Sequence, residues 1–119
     1  PSIWTQAQKR GFGPENLATW LCEKPASFIG QSHCLGKIAP GYRANLVVWN
    51  PNEKWTVSTS DLLFKHKVSP FTGMTLSGKV HSTYLRGKRI YHHCEFADSP
   101  TGQFVLHRNK NGDPNVIQE

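Results

Sequence analysis

Residues 36–51 read GKIAPGYRANLVVWNP, and this stretch decides how the rest of the chain can fold. Its Pro40-Gly41 pair marks a turn. Residues 46–49 then form an apolar run without polar interruption, which is typical of a strand covered on both faces. Residues 50–52, Asn-Pro-Asn, are expected to end this strand. The stretch therefore predicts a turn that leads directly into a buried strand.

The chain before this turn has helical periodicity. Ser2 is placed to cap a first helix, which Gly11 ends. A second helix is expected to begin at Pro14 and to end at Lys24, because Pro25 disfavours helical geometry in the residue before it. Pro25 itself can open one more short helix. Apolar side chains at helical spacing should face a core, and they include Leu17, Trp20, Leu21, Phe28 and Ile29.

The chain after residue 52 has the pattern of short strands and turns. Residues 55–57 predict a short partner strand, and residues 65–78 are mostly loop. A hairpin is expected from strands 80–86 and 89–92, joined by Gly87-Lys88, because the glycine supplies the positive φ of a tight turn. The apolar run 104–106 could form a last strand or a docking segment.

The composition limits the classes of protein. The 119 residues are 37% hydrophobic with four Trp and six Phe, which indicates one packed globule. No apolar run approaches the ~20 residues that cross a bilayer, so no membrane partner is expected. The three cysteines have no CxxC spacing, and we expect free, buried thiols in a reducing compartment.

The charge of +6, from 14 basic and eight acidic residues, raises the hypothesis of a nucleic-acid partner. The basic residues are spread along the chain, however, and no known nucleic-acid-binding motif accompanies them. Solvated loops and hairpin tips explain such a diffuse pattern better. We therefore expect no nucleic-acid partner, although salt-sensitive binding to DNA or RNA would overturn this interpretation.

No active site can be recognised from the residues alone. The six histidines are scattered without HxH or HExxH spacing, and adjacent His92 and His93 should point to opposite faces of a strand. The chain also lacks a GxSxG elbow, a Walker lysine loop and a pair of carboxylates on one predicted face. We therefore predict no catalytic, cofactor-binding or metal-binding residue in this chain.

Several motifs together resemble the C-terminal signature of the amidohydrolase superfamily. They are Pro25-Ala26 with Gly30, the run GKIAPG at 36–41, and ANLVV at 44–48, where Asn45 replaces the usual Asp. The runs FKHKVSPFTG at 64–73, GKV at 78–80 and TYLRG at 83–87 are similar to the cyclic amidohydrolases of the dihydroorotase–hydantoinase group. The HKxSPFxG form and residues 102–104 resemble the allantoinase group in particular.

The resemblance implies an α+β fold in which the last helices of a (β/α)8 TIM barrel are followed by most of a small β-sandwich. It assigns residues 1–33 to barrel-closing helices, residues 34–97 to the sandwich, and residues 98–119 to a C-terminal extension with a polar tail. A barrel takes ~200 residues or more, so we expect this chain to be a fragment of a longer one.

The resemblance also implies the function. Relatives of this kind open the hydantoin ring of allantoin to give allantoate, in purine catabolism, with water activated between two metal ions, usually zinc. Their ligands are an HxH pair, a carboxylated lysine, two further histidines and an aspartate, and none maps onto this sequence. The fragment alone is therefore expected to be inactive and to bind no zinc.

Partners and compartment follow from the same resemblance. The expected partner is a small hydantoin substrate, the expected assembly is a homotetramer, and the expected location is the cytoplasm, with peroxisome and mitochondrion left open. The alternative is a non-enzymatic dihydropyrimidinase-like scaffold, which would lack the HxH pair upstream.

Overall fold

A computed structural model describes residues 1–63 and 65–103 of the chain. Three short α-helices are followed by one antiparallel sheet of four strands. The helices are α1 (Ser2–Lys9), α2 (Pro14–Ala18) and α3 (Lys24–Phe28), with a π-helical turn, Thr19–Glu23, between α2 and α3. The strands are β1 (Leu46–Thr56), β2 (Thr75–Leu85), β3 (Lys88–His92) and β4 (Glu95–Phe96), with a 3₁₀ turn at Thr59–Asp61. The run 104–106, predicted as a strand or docking segment, lies outside the described residues.

Helix α1 is where the sequence predicted it, but its N-cap differs. Ser2 was expected to cap the helix, whereas the cap is Pro1 and no side chain bonds there. The Pro1 carbonyl accepts from the Thr5 amide and from Thr5 Oγ1, at 2.8 and 2.9 Å, so Ser2 is drawn into the first turn. Gly11 follows the helix with a φ of +78°, as its predicted role requires.

The predicted helix end at Lys24 is wrong, because the chain stays helical through Pro25 to Phe28. The π-helical turn explains how. The Lys24 amide bonds to the Thr19 carbonyl, five residues back, and so shifts the hydrogen-bond pattern just before the proline. Pro25, which has no N–H to donate, then enters a ladder that is already shifted and continues in helical geometry.

The sheet is a meander in the order β1-β2-β3-β4, with each neighbouring pair antiparallel. The predicted hairpin is confirmed, with its turn one residue earlier than expected, at Arg86-Gly87. Both turn residues have positive φ, 50° and 80°. This is the geometry that matches the twist of a two-residue hairpin.

The prediction that residues 50–52 end the first strand is wrong, and so is the separate strand at 55–57. Residues 50–52, 55 and 56 belong to β1, which pairs with β2 on both sides of a bulge. The pairing passes from Asn50↔Lys79 to Lys54↔Ser77, so residues 51–53 bulge out opposite Gly78. Pro51, which has no N–H to donate to the ladder, lies in this bulge, within an otherwise paired strand. The Pro51 carbonyl accepts from Trp4 Nε1 at 2.8 Å. Strand β2 correspondingly begins at Thr75, within the predicted loop.

Helix α1 docks on the sheet where Gly78 leaves room for two tryptophans. The rings of Trp4 and Trp49 meet edge to face, with centroids 5.3 Å apart. Gly78 has a φ of +86°, and a Cβ there would lie 2.7 Å from the Trp49 ring and 2.8 Å from the Trp4 ring. Beside it, the Ser77 amide donates to Thr5 Oγ1 at 2.9 Å. The helix is thus fixed to β2 by ring packing and by a buried hydrogen bond.

A second apolar cluster lies at the other end of β1. It contains Val57, Leu62 and Leu76, with Trp55 packed against it.

By contrast, Val47 and Val48 are 56% and 51% exposed, so the expected cover on both faces of 46–49 is wrong for the described chain. The described residues form a single sheet, and the barrel, the sandwich and the division at residues 33 and 97 stay predictions. None of the helices among these residues is long and apolar enough to cross a membrane.

Replacing Gly78 by Ala should destabilise the fold more than replacing Gly87 by Ala. Both glycines have positive φ, but a Cβ at Gly87 meets nothing within 4 Å. G87A should therefore cost only the backbone strain of ~1–2 kcal/mol, while G78A adds ~1–3 kcal/mol of overpacking against the tryptophans. Urea unfolding of both variants in the same background measures the difference. Equal losses would show that the tryptophans yield freely.

Candidate functional site

A group of titratable side chains lies at the bulge of β1 and the turn between β3 and β4. It contains Glu53 in the bulge, His81 on β2, His92 at the end of β3, and His93 in the turn; we call it the histidine cluster. The fold brings these residues together from segments up to 40 positions apart in the sequence, 53 to 93. Sequence reasoning missed the cluster, because no motif links a bulge residue to a turn.

Glu53 is the anion of the histidine cluster. Its Oε2 lies 2.7 Å from His81 Nε2, and its Oε1 lies 3.3 Å from Lys79 Nζ. The hydrogen bond with His81 is the main reason that the pKa of Glu53 is lowered, and Lys79 adds to the effect against the cost of desolvation. All three side chains are partly open to water, so this arrangement orients the bulge more than it stabilises the fold.

The expectation that His92 and His93 point to opposite faces is wrong. His93 has a φ of +43°, so the chain leaves strand geometry there and the two rings lie 4.3 Å apart, centroid to centroid. The His93 ring also lies 5.1 Å from that of His81. Ser82 Oγ lies 2.8 Å from His92 Nδ1, within hydrogen-bond distance. Three imidazoles therefore lie in a row, with His93 in the middle, in edge-to-face and tilted contact.

The pKa of His92 is lowered, first because desolvation disfavours its charged form and then because Arg89 and His93 repel a proton. Glu95 acts in the opposite direction but does not outweigh them. Among residues 1–63 and 65–103, no three His, Cys, Asp or Glu side chains are placed to hold a metal ion.

The cysteines are free, as the sequence predicts, but the expectation that they are buried is wrong. Cys22 and Cys94 are exposed and Cys34 is half-buried. Cys94 follows His93 in the same turn and has a φ of +72°, which directs this part of the turn toward solvent.

An apolar groove of about 410 Å³ lies between α1, the segment that follows it and the start of β2. Phe12 and Trp20 meet edge to face across its rim, with centroids 5.0 Å apart. The predicted apolar stripe of the helices is only partly packed, because Trp20 and Leu21 are 41% and 49% exposed and Phe28 is 92% exposed. The helical layer thus presents an apolar surface that the described residues do not cover.

Removal of the Glu53 carboxylate should change how stability depends on pH. Because the folded-state pKa of Glu53 is lowered, its contribution is present above ~4.5 and is lost as pH falls through the folded value. The free energy of unfolding of E53Q should therefore approach that of the wild type as pH falls from 5 toward 3 (roughly the carboxylate range). Urea unfolding across this range measures the change.

Two neighbouring substitutions test the cause. H81F removes the largest influence on Glu53 and should reproduce most of the E53Q behaviour, whereas K79Q removes a smaller one and should retain more of the wild-type profile. A constant difference between E53Q and wild type at every pH would contradict the assignment.

The chain has relatives among known proteins. The sequence profile of the amidohydrolase family matches residues 3–90. The chain is 37% identical over 107 residues to the allantoinase of Saccharomyces cerevisiae, covering 89% of this chain and 22% of that protein. It is also 37% identical over 105 residues to the allantoinase of Streptomyces avermitilis, covering 88% and 23%.

Among solved structures, the L-hydantoinase (dihydropyrimidinase) from Arthrobacter aurescens superposes with a TM-score of 0.75 at 30% identity, over 82% of this chain and 22% of that one. The chain thus spans about a fifth of the length of these relatives. The resemblance inferred from the GKIAPG, ANLVV and HKxSPFxG motifs is confirmed. The chain belongs to the amidohydrolase family.

Proposed function

We propose that this chain is the C-terminal part of a metal-dependent cyclic amidohydrolase that opens the hydantoin ring of allantoin to give allantoate. The observation that carries the proposal is the 37% identity to allantoinases over almost nine-tenths of the chain. The structural likeness to an L-hydantoinase supports the same class of substrate, a cyclic amide. Opening of allantoin places the whole protein in purine breakdown.

Within that protein, the described residues have a structural role. Helix α1 is fixed to the sheet through Trp4 and Thr5. The apolar surface of the helices, at Trp20, Leu21 and Phe28, is free to pack on strands of a barrel. Burial stabilises by ~25 cal/mol per Å² of apolar area, so covering several such side chains contributes several kcal/mol.

The exposed edge strand β1 is consistent with the proposed sandwich. Strand β1 lies at the edge of the sheet, and its Val47 and Val48 are about half exposed. An exposed apolar edge strand is a site where another strand pairs or another sheet packs. In the proposed enzyme, residues outside this chain supply that second sheet, and the whole protein assembles as a homotetramer.

The described residues do not fit a metal centre, since no group of three candidate ligands converges in the part of the chain that the structure describes. In the proposed enzyme the zinc ligands therefore come from elsewhere in the polypeptide. The histidine cluster is not assigned to catalysis, because its rings contact one another and His81 is bonded to Glu53.

The isolated chain should bind no stoichiometric zinc and should not hydrolyse allantoin, whereas the full-length polypeptide should do both. Elemental analysis and a colorimetric assay for allantoate measure the two properties. Turnover by the isolated chain above a metal-only blank would overturn the assigned structural role. An inactive full-length protein without an HxH pair would favour a dihydropyrimidinase-like scaffold.

An aspartate at Val48 tests the proposed second sheet. If a sheet covers Val48 in the full-length protein, V48D places an unpaired carboxylate in an apolar site and should cost several kcal/mol. V68D is the matched control, because Val68 is 82% exposed on a loop and its replacement should cost ~0.5 kcal/mol or less. Equal melting temperatures for the two variants would show that β1 stays open to solvent.

A further inference from the structure

The turn between β3 and β4 contacts β2 through the histidine cluster. Strand β4 has two residues; it pairs with β3 at Tyr91↔Phe96 and His92↔Glu95, and the Ala97 amide donates to the Ile90 carbonyl at 3.0 Å. The turn itself contains His93 and Cys94, both with positive φ, which costs energy in residues other than glycine. So short a strand with so strained a turn depends on contacts outside its own ladder.

Those contacts lead from the turn to β2 and then to β1. The His93 amide donates to the His81 carbonyl at 3.0 Å, and the two rings lie 5.1 Å apart. The His92 ring contacts the His93 ring edge to face, and His92 lies within hydrogen-bond distance of Ser82, a buried residue of β2. His81 in turn pairs with Glu53 in the bulge. A row of three imidazoles thus connects the turn to the point where α1 docks.

The charged groups around the three imidazoles differ. His81 lies against the Glu53 carboxylate, whose other oxygen faces Lys79. His92 has no such ion pair among the described residues. Its surroundings are Arg89, His93 and His81, which oppose a positive charge, and Glu95, which favours one more weakly.

Protonation of more than one ring in this row places like charges at about 4–5 Å, with basic residues on either side. The turn is the part that can move, because β2 is fixed by its pairing with β1 and by α1. Repulsion should therefore separate His92 and His93 from His81 rather than disturb β2.

We propose that the histidine cluster is an acid-sensitive switch, which holds the β3–β4 turn against β2 at neutral pH and releases it in acid, when more than one of its rings carries a positive charge. Opening breaks the hydrogen bond between the His93 amide and the His81 carbonyl and the ladder of β4. The Glu53–His81 pair remains, so the bulge and the docking of α1 persist. The switch is local and does not depend on the reaction that the whole protein catalyses.

Hydrogen exchange measured by mass spectrometry on the full-length polypeptide tests the proposal. After correction for the intrinsic effect of pH, peptides from residues 88–97 should exchange several-fold faster at pH ~5.5 than at pH ~7.5, on either side of the ordinary imidazole range. Peptides from residues 75–80 should not change. A wild-type protein with equal corrected exchange at both pH values would overturn the proposal.

Variants identify the responsible rings. The double substitution H92Q and H93N removes the imidazole rings of His92 and His93 and should abolish the acid response at residues 88–97. H66Q, at an exposed loop histidine, is the control and should leave that response intact. An acid response that persists in the double variant would assign the opening to other groups.

Salt supplies a test that needs no variant. Raising NaCl to ~1 M shortens the screening length to ~3 Å and weakens repulsion between partly exposed imidazolium rings. Exchange of residues 88–97 at acidic pH should then slow toward its neutral value. An unchanged rate would show that charge repulsion does not open the turn, even where the double variant fails to fold.

Discussion

The packing of Trp4 and Trp49 around Gly78 is the constraint on which the rest of the structure depends. A side chain at Gly78 would collide with both rings, and its positive φ favours glycine. The glycine thus permits β2 to remain paired while α1 lies directly on it. Hydrogen bonds of Thr5 and Trp4 join the same helix to the sheet.

The same constraint shapes β1 and, through it, the histidine cluster. Because Gly78 faces residues 51–53 rather than a single partner, the strand bulges and presents the Pro51 carbonyl to Trp4. The bulge also turns Glu53 toward Lys79 and His81. The packing around Gly78 therefore fixes α1 on the sheet and also positions the Glu53 carboxylate beside the imidazoles.

The exposed apolar residues are consistent with a role inside a larger enzyme. Helical residues such as Phe28 and edge-strand residues such as Val47 are exposed to solvent, whereas Trp4 is buried against Trp49 where α1 meets the sheet. This distribution suits an element that joins two structural layers, as the proposed position between barrel and sandwich requires. Family membership rests on the match over residues 3–90, whereas the activity belongs to the whole polypeptide.

The sequence by itself determined the helical front, the hairpin at Gly87 and the family, because periodicity, turn chemistry and local motifs are properties of neighbouring residues. Tertiary structure alone decided the other features. Proline signals at Pro25 and Pro51 predicted breaks, but a π-helical turn and a bulge absorbed them, since long-range contacts override local propensity. The histidine cluster likewise could not be predicted from the sequence. A strand pattern places His92 and His93 on opposite faces, and only the positive φ of the turn brings their rings into contact.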